Sequence, residues 1–130
     1  MKVKIYHNSR CSKSRQTLDI LKSKNCDIEI IEYLKTPMAL KELKSVLNKL
    51  NYEPRDLIRK GEDIYKKENL SNTFLSNDFL MEKMILNPIL IERPIVVFND
   101  KAVIGRPPEK VLEIIWLDPK KKLNFLAKES

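Results

Sequence analysis

The placement of strand-like segments most limits how this 130-residue chain can fold. Two such segments lie near the N-terminus, two lie close together after residue 94, and no strand pattern occurs between Tyr33 and Leu90. The segments are residues 3–6, 27–33, 95–98 and 101–104. The first pair encloses a helical pattern at residues 12–24, which predicts a parallel β-α-β unit. Asn99-Asp100 predicts a two-residue hairpin turn in the second pair, so we expect an α/β protein with a mixed four-stranded sheet.

The middle of the chain is predicted to be helical throughout. Thr36-Pro37 indicates a helix start, because a capping hydroxyl is followed by proline at the first helical position. Shorter helical pieces follow, and the residues that separate them are Pro54, Gly61, Ser71 and Ser76. The last piece covers about residues 77–86 and is stopped by Asn87-Pro88. We interpret residues 38–88, approximately, as an all-helical insertion that folds back on the sheet.

A closing helix is predicted to open at Arg106-Pro107-Pro108-Glu109. We therefore expect one domain over residues 1–117 and a C-terminal tail over residues 118–130.

The net charge of +7 is spread over helix faces and the tail, which is typical of a solvated surface. No apolar run approaches the roughly 20 residues that cross a membrane, and the N-terminus has no signal-peptide pattern. We expect a cytoplasmic monomer without a nucleic-acid or membrane partner.

The order strand, helix, strand, helices, strand, strand, helix resembles the thioredoxin-like fold, a β-α-β unit followed by a β-β-α unit. In that fold the redox cysteine follows the first strand and starts the first helix, which is the position of Cys11. Amide N–H groups and the helix dipole favour a thiolate there. His7, Arg10, Lys13 and Arg15 would add positive charge if they lie close to the sulfur. Cys11 is therefore predicted to be a nucleophile of lowered pKa.

Thioredoxins carry Cys-x-x-Cys, whereas this chain has Cys11-Ser12-Lys13-Ser14. The Ser14 hydroxyl can donate a hydrogen bond to a thiolate but cannot displace a disulfide. A mixed disulfide on Cys11 must therefore be resolved by an external thiol, either glutathione or a partner redox protein. Cys26, the second of the two cysteines, is expected to be inert and partly buried. His7 is the only histidine, so no zinc site of Cys and His can form; His7 either tunes the thiol or structures the loop.

Proline and arginine add a second set of candidate residues. Pro94 heads the third strand, where thioredoxin-like folds place a cis-proline against the redox cysteine. Arg93 and Arg106 are expected in loops near Cys11, and Arg59 in the helical insertion. Guanidinium groups that converge beside a thiolate would bind a tetrahedral oxyanion. Each arginine taken singly could instead be a solvated surface charge.

Four motifs, taken in order, resemble the glutaredoxin-linked arsenate reductase family over roughly residues 3–116. They are His7-Asn8-x-x-Cys11-x-x-Ser14-Arg15, Leu57-Ile58-Arg59-Lys60, Glu92-Arg93-Pro94-Ile95-Val96-Val97 and Ile104-Gly105-Arg106-Pro107-Pro108-Glu109. The family pattern His-Asn-Pro-x-Cys-Gly-Thr-Ser-Arg differs here, since Ser9 replaces the proline and Ser12-Lys13 replaces Gly-Thr.

The resemblance implies a reaction and a set of roles. Cys11 would attack arsenate and form a thiol-arsenate adduct, which glutathione and then glutaredoxin would reduce, releasing arsenite. No bound cofactor and no metal are implied. By motif position, His7 and Ser14 support the thiolate. The substrate-binding residues implied are Arg15, Arg59, Arg93 and Arg106.

Two other functions remain open at this point. A general glutathione-dependent thiol-disulfide oxidoreductase would need Cys11 and Pro94 but not the arginines. A regulator of the Spx type would share the fold and bind the α subunit of RNA polymerase. Redox-sensing regulators of that type carry Cys-x-x-Cys, and Ser14 removes that switch.

Overall fold

The computed structural model of the protein describes residues 2–115. Its four strands form one mixed sheet in the order β2-β1-β3-β4. The strands are β1 (Lys2–Tyr6), β2 (Asp27–Ile31), β3 (Ile95–Phe98) and β4 (Lys101–Ile104). Strand β3 runs antiparallel to both β1 and β4. The predicted α/β class, with its mixed four-stranded sheet, is confirmed, and the predicted tail at residues 118–130 lies outside the described residues.

The chain divides into two compact units. Among the described residues, the first unit, here called the sheet unit, comprises residues 2–30 and 93–115, and the second, the helical unit, comprises Ile31–Glu92. The helices from Leu40 to Leu86 lie within the predicted insertion, although the helical unit extends beyond residues 38–88 at both ends. The assignment of residues 1–117 to one domain stays a prediction.

In the sheet unit, helix α1 (Ser12–Ser23) follows β1, and a single 3₁₀ turn (Pro108–Lys110) leads into a short helix, here called α6 (Val111–Ile115). Both helices bury apolar side chains with those of β1 and β3. The buried cluster is Val3, Ile5, Leu18, Leu21, Val96, Phe98, Val111, Ile114 and Ile115. Each such side chain contributes roughly 1.5–3 kcal/mol when it leaves water. This packing fixes the start of α1 relative to the central strands.

The helical unit contains the remaining helices. They are α2 (Leu40–Leu50), α3 (Pro54–Leu57), α4 (Asp63–Lys67) and α5 (Asn77–Leu86), followed by a 3₁₀ turn (Pro88–Leu90). Helix α5 has the predicted bounds, and its N-cap Ser76 accepts a hydrogen bond from the Phe79 N–H at 3.1 Å. The hairpin is also as predicted, with Asn99 in the left-handed region at φ 56°.

The predicted start of α2 at Thr36-Pro37 is wrong. The N–H groups of Lys35 and Thr36 both donate to the Glu32 carbonyl, at 2.9 and 3.0 Å, so Thr36 completes a turn after β2. The same turn ends β2 before residue 33. Ala39, the N-cap residue of α2, has extended backbone angles, and the preceding Met38 is buried. A local capping signal was therefore overridden by turn closure and by burial of an apolar side chain.

A membrane-spanning helix is absent from residues 2–115, since none of their helices is both long enough and apolar enough to cross a bilayer.

Candidate active site

Cys11 lies in the loop between β1 and α1 and is the N-cap residue of α1, with extended backbone angles of φ −97° and ψ 122°. Its own N–H donates to the Asn8 carbonyl at 3.0 Å, and the Asn8 side chain accepts from the Arg10 N–H at 3.0 Å. These bonds fold the loop back toward the helix start. The side chain remains partly exposed, so the sulfur can meet a reactant.

The pKa of the Cys11 thiol lies below its ordinary value. Partial burial is the largest single influence and raises the pKa, but the groups facing the sulfur together outweigh it. The backbone N–H groups of Ser14 and Lys13 and the Arg93 guanidinium, by hydrogen bond and by charge, favour the thiolate. The direction agrees with the prediction, and the side chain responsible is Arg93.

Two arginines meet Cys11 because of the hairpin register. Ile95 pairs with Ile104, so the residues just outside the hairpin lie at the same end of the two strands. The Arg106 Nη1 donates to the Arg93 carbonyl at 3.1 Å and lies 3.9 Å from the Cys11 Sγ. The expected convergence of Arg93 and Arg106 on Cys11 is therefore observed, while anion binding by them stays a prediction.

The Arg93–Pro94 peptide bond is cis, as predicted for this position. The Arg106–Pro107 bond is also cis, which the sequence analysis did not predict.

A close approach of α1 to the end of the hairpin was also missed. Thr17 Oγ1 donates to the Lys13 carbonyl at 2.8 Å and lies 3.4 Å from the Gly105 carbonyl oxygen. A Cβ at Gly105 would overlap Thr17 Oγ1 and come within 2.9 Å of the Pro94 side chain. Close packing therefore requires glycine at this position. The sequence signal that could have revealed the contact was the glycine directly before Arg106.

His7 and Ser14 form a buried pair beneath the loop. His7 Nδ1 lies 2.6 Å from Ser14 Oγ, which also accepts a hydrogen bond from the Asn8 N–H at 3.1 Å. If Nδ1 carries a proton it donates to Ser14, whose own hydrogen can then turn to another acceptor. If Nδ1 is bare, the Ser14 hydroxyl donates to it. Whether His7 Nδ1 carries a hydrogen therefore determines the direction in which the Ser14 hydroxyl points.

The other predicted site residues have identifiable contacts. The Arg15 Nη1 donates to the Ser9 carbonyl at 2.9 Å and so ties the loop to α1. Arg59 belongs to the helical unit, where it pairs with Glu62 and Glu92. Their substrate-binding roles stay predictions. Cys26 is partly buried as expected and packs against the apolar cluster of the sheet unit.

Within residues 2–115, no group of three or more His, Cys, Asp or Glu side chains could hold a metal ion.

The sheet order, the cysteine at the start of the first helix and the cis-proline that opens the third strand are those of the thioredoxin-like class. Within that class, the model of the ArsC family matches residues 6–114. The chain therefore belongs to the ArsC family.

Several relatives match over most of their length. The uncharacterized protein YfgD of Escherichia coli K12 is 52% identical over 114 residues, which cover 87% of this chain and 96% of that protein. An arsenate reductase of Haemophilus influenzae is 46% identical over 116 residues, covering 88% of this chain and all of that protein. Among solved structures, an arsenate reductase from Vibrio cholerae is 48% identical with a TM-score of 0.86, covering 88% of this chain and 98% of that chain.

Proposed function

We propose that this protein is an arsenate reductase in which Cys11 is the nucleophile. The observation that carries the proposal is the environment of the sulfur, where the Arg93 guanidinium lowers the thiol pKa and the Arg106 Nη1 lies 3.9 Å from Sγ. Relatives that bear the name arsenate reductase support the same substrate.

The two arginines suit a tetrahedral oxyanion. Arsenate at neutral pH is an anion, and a guanidinium group binds such oxygens through paired, charge-assisted hydrogen bonds. The same positive charge stabilises the attacking thiolate, so one pair of side chains supports both reactants. Arg15 and Arg59 are proposed as further substrate-binding residues on the resemblance alone.

The proposed reaction transfers two electrons to arsenic. The Cys11 thiolate attacks arsenate, an S–As bond forms, and one arsenate oxygen leaves as water. A glutathione thiol then attacks the Cys11 sulfur. The S–As electron pair passes to arsenic, arsenite leaves, and Cys11 is left in a mixed disulfide with glutathione. A glutaredoxin thiolate attacks the glutathione sulfur of that disulfide and returns Cys11 to the thiol form.

The need for an external thiol follows from the positions of the cysteines. Cys11 precedes α1 and Cys26 follows it, and a helix of 12 residues is about 18 Å long at 1.5 Å per residue. A disulfide needs Cα atoms within about 7 Å, so Cys26 cannot resolve an adduct on Cys11. Ser14 cannot do so either. Glutathione and glutaredoxin are therefore the proposed donors, and a cytoplasmic location fits this proposal because thiols stay reduced there.

His7 and Ser14 are proposed to support the thiolate. A hydrogen on His7 Nδ1, 2.6 Å from Ser14 Oγ, would leave the hydroxyl hydrogen of Ser14 able to face the sulfur.

The test is arsenite production by the purified protein with arsenate, glutathione and glutaredoxin. We expect turnover that requires both donors, with Cys26→Ser as a matched cysteine control that stays active. Turnover sustained by thioredoxin without glutathione would overturn the proposed donor. Absence of arsenite under every donor, with Cys11 still alkylated rapidly by iodoacetamide, would overturn the proposed substrate.

A further inference from the structure

The exposed side chains around the Cys11 sulfur, all within the sheet unit, are basic. Arg10 and Lys13 lie on either side of Cys11 in the loop and the first turn of α1, and both are exposed. Arg15 is exposed as well, and a hydrogen bond of 2.9 Å to a backbone carbonyl holds its guanidinium against the loop. Arg106 comes from the end of the hairpin, and its Nη1 lies 3.9 Å from Sγ. These four residues are here called the basic face.

The segments that meet at the sulfur supply no negative side chain. Residues 7–18, which form the loop and the first part of α1, contain no Asp or Glu, and neither do residues 93–98 and 101–108. The 3₁₀ turn that packs on α1 adds Glu109 and Lys110, whose charges offset each other. The surface around the reactive sulfur therefore carries a net positive charge.

The proposed chemistry requires a second protein to reach this surface. Cys11 ends the reaction in a mixed disulfide with glutathione, and the sulfur is only partly exposed. A new disulfide brings two sulfurs to about 2 Å, so a redox protein that delivers its thiol here must cover the residues on each side of Cys11. Glutathione has two carboxylates and one ammonium group at neutral pH, so it offsets only part of the positive charge that the redox protein meets.

From this charge and this geometry we propose that the basic face is the docking surface for a redox protein that carries carboxylates around its own thiol. Opposite charges across such an interface speed the encounter and fix the orientation of the partner. The inference rests on the proposed function for the mixed disulfide. In the exchange, the partner thiolate attacks the glutathione sulfur, the S–S bond breaks, and its electron pair leaves on the Cys11 sulfur.

The test starts from the mixed disulfide of glutathione with Cys11 in a Cys26→Ser background, where a single protein sulfur can react. Three peptides of equal length serve as reductants, each with one cysteine flanked by glutamates, glutamines or lysines. The measurement is the rate of disulfide loss by mass spectrometry, divided by the thiolate concentration of the peptide. At low salt the glutamate peptide should react about tenfold faster than the glutamine peptide. The lysine peptide should be the slowest, and the differences should shrink as salt rises.

Charge reversal on this chain locates the effect. Arg10→Glu and Lys13→Glu should each reduce the preference for the glutamate peptide. Lys22→Glu, in the last turn of α1, is the matched control and should keep that preference. Reduction of the same disulfide by glutaredoxin should slow as salt rises, and it should slow in the first two variants but not in the third.

Equal rates for the three peptides at low salt would overturn the inference, and so would a preference that survives in both Arg10→Glu and Lys13→Glu. Reduction by glutaredoxin at a rate that salt leaves unchanged or increases would overturn it as well. These assays contain no arsenate, so the proposed function is judged separately by turnover. A protein that shows the expected charge preference but releases no arsenite would refute that function and leave the inference standing.

Discussion

Arginine is used in two different ways in the two units of this protein. In the sheet unit, Arg93 and Arg106 lie at a sulfur, and Arg93 lowers the pKa of the Cys11 thiol. In the helical unit, Arg59 is held between two carboxylates. The first arrangement stabilises negative charge on the Cys11 sulfur, whereas the second restrains the guanidinium itself. The same residue type therefore takes its role from the groups around it, and sequence position alone does not reveal which role it has.

The largest effect should come from the sulfur of the sheet unit. Cys11→Ser should reduce arsenite production to background, a loss of at least about 10³-fold, as is usual when a nucleophile is removed. Cys26→Ser should retain nearly full activity because Cys26 packs in the apolar cluster at the other end of α1. The measurement is the initial rate of arsenite release. Comparable losses in both variants would show that the chemistry is not confined to the start of α1.

The next effect contrasts one glycine of each unit. A Cβ at Gly105 would overlap Thr17 Oγ1, whereas a Cβ at Gly61 meets no atom within 4 Å. Gly105→Ala should lower the free energy of unfolding by about 1–3 kcal/mol, the usual cost of overpacking. Gly61→Ala should leave it unchanged or raise it slightly. Urea unfolding measures both, and equal values would contradict the tight contact between α1 and the hairpin.

A third effect concerns the charge beside the sulfur. Because Arg93 lowers the pKa of Cys11, Arg93→Ala should raise it, so that less thiolate is present at pH 7. The higher pKa should slow alkylation by iodoacetamide at pH values below the midpoint, because less thiolate is present there. The pH dependence of the alkylation rate gives the midpoint directly. Arg15→Ala is the control, since that guanidinium donates to the Ser9 carbonyl, and an identical midpoint in wild type and Arg93→Ala would refute the assignment.

The smallest effect is expected at a helix cap in the helical unit. Ser76 Oγ accepts from the Phe79 N–H at 3.1 Å, and Ser76→Ala should cost about 1 kcal/mol of stability. Ser71→Ala, at an exposed loop position nearby, should cost much less. Thermal unfolding of both variants sharpens the contrast between a capping serine and a loop serine. Equal melting temperatures would show that α5 does not depend on its cap.

Local signals predicted much of the fold. Ser76 and Asn87-Pro88 mark both ends of α5, and Asn99-Asp100 marks the hairpin, because each signal acts through neighbouring backbone groups. The meeting of Arg93 and Arg106 at Cys11 followed from the thioredoxin-like arrangement of the strands.

The features that escaped prediction depend on distant parts of the chain. Glu92 reaches Arg59 across 33 positions, and Gly105 meets Thr17 across 88. Periodicity and capping rules act within a few residues and contain no information about such pairs. Thr36 shows the opposite kind of wrong prediction: its strong local signal for a helix start was overridden by a competing turn.

Because the hairpin is short, the site depends on the number of residues between Arg93 and Arg106. Arg93 and Arg106 are separated by 13 positions, and a two-residue turn with Ile95 opposite Ile104 leaves no slack between them. Inserting one residue within β4 would slip the ladder and turn every following side chain to the opposite face of the sheet. Both arginines would still be present in such a protein, yet only one would reach the sulfur. At this hairpin the site requires the right spacing between residues as well as the right residue types.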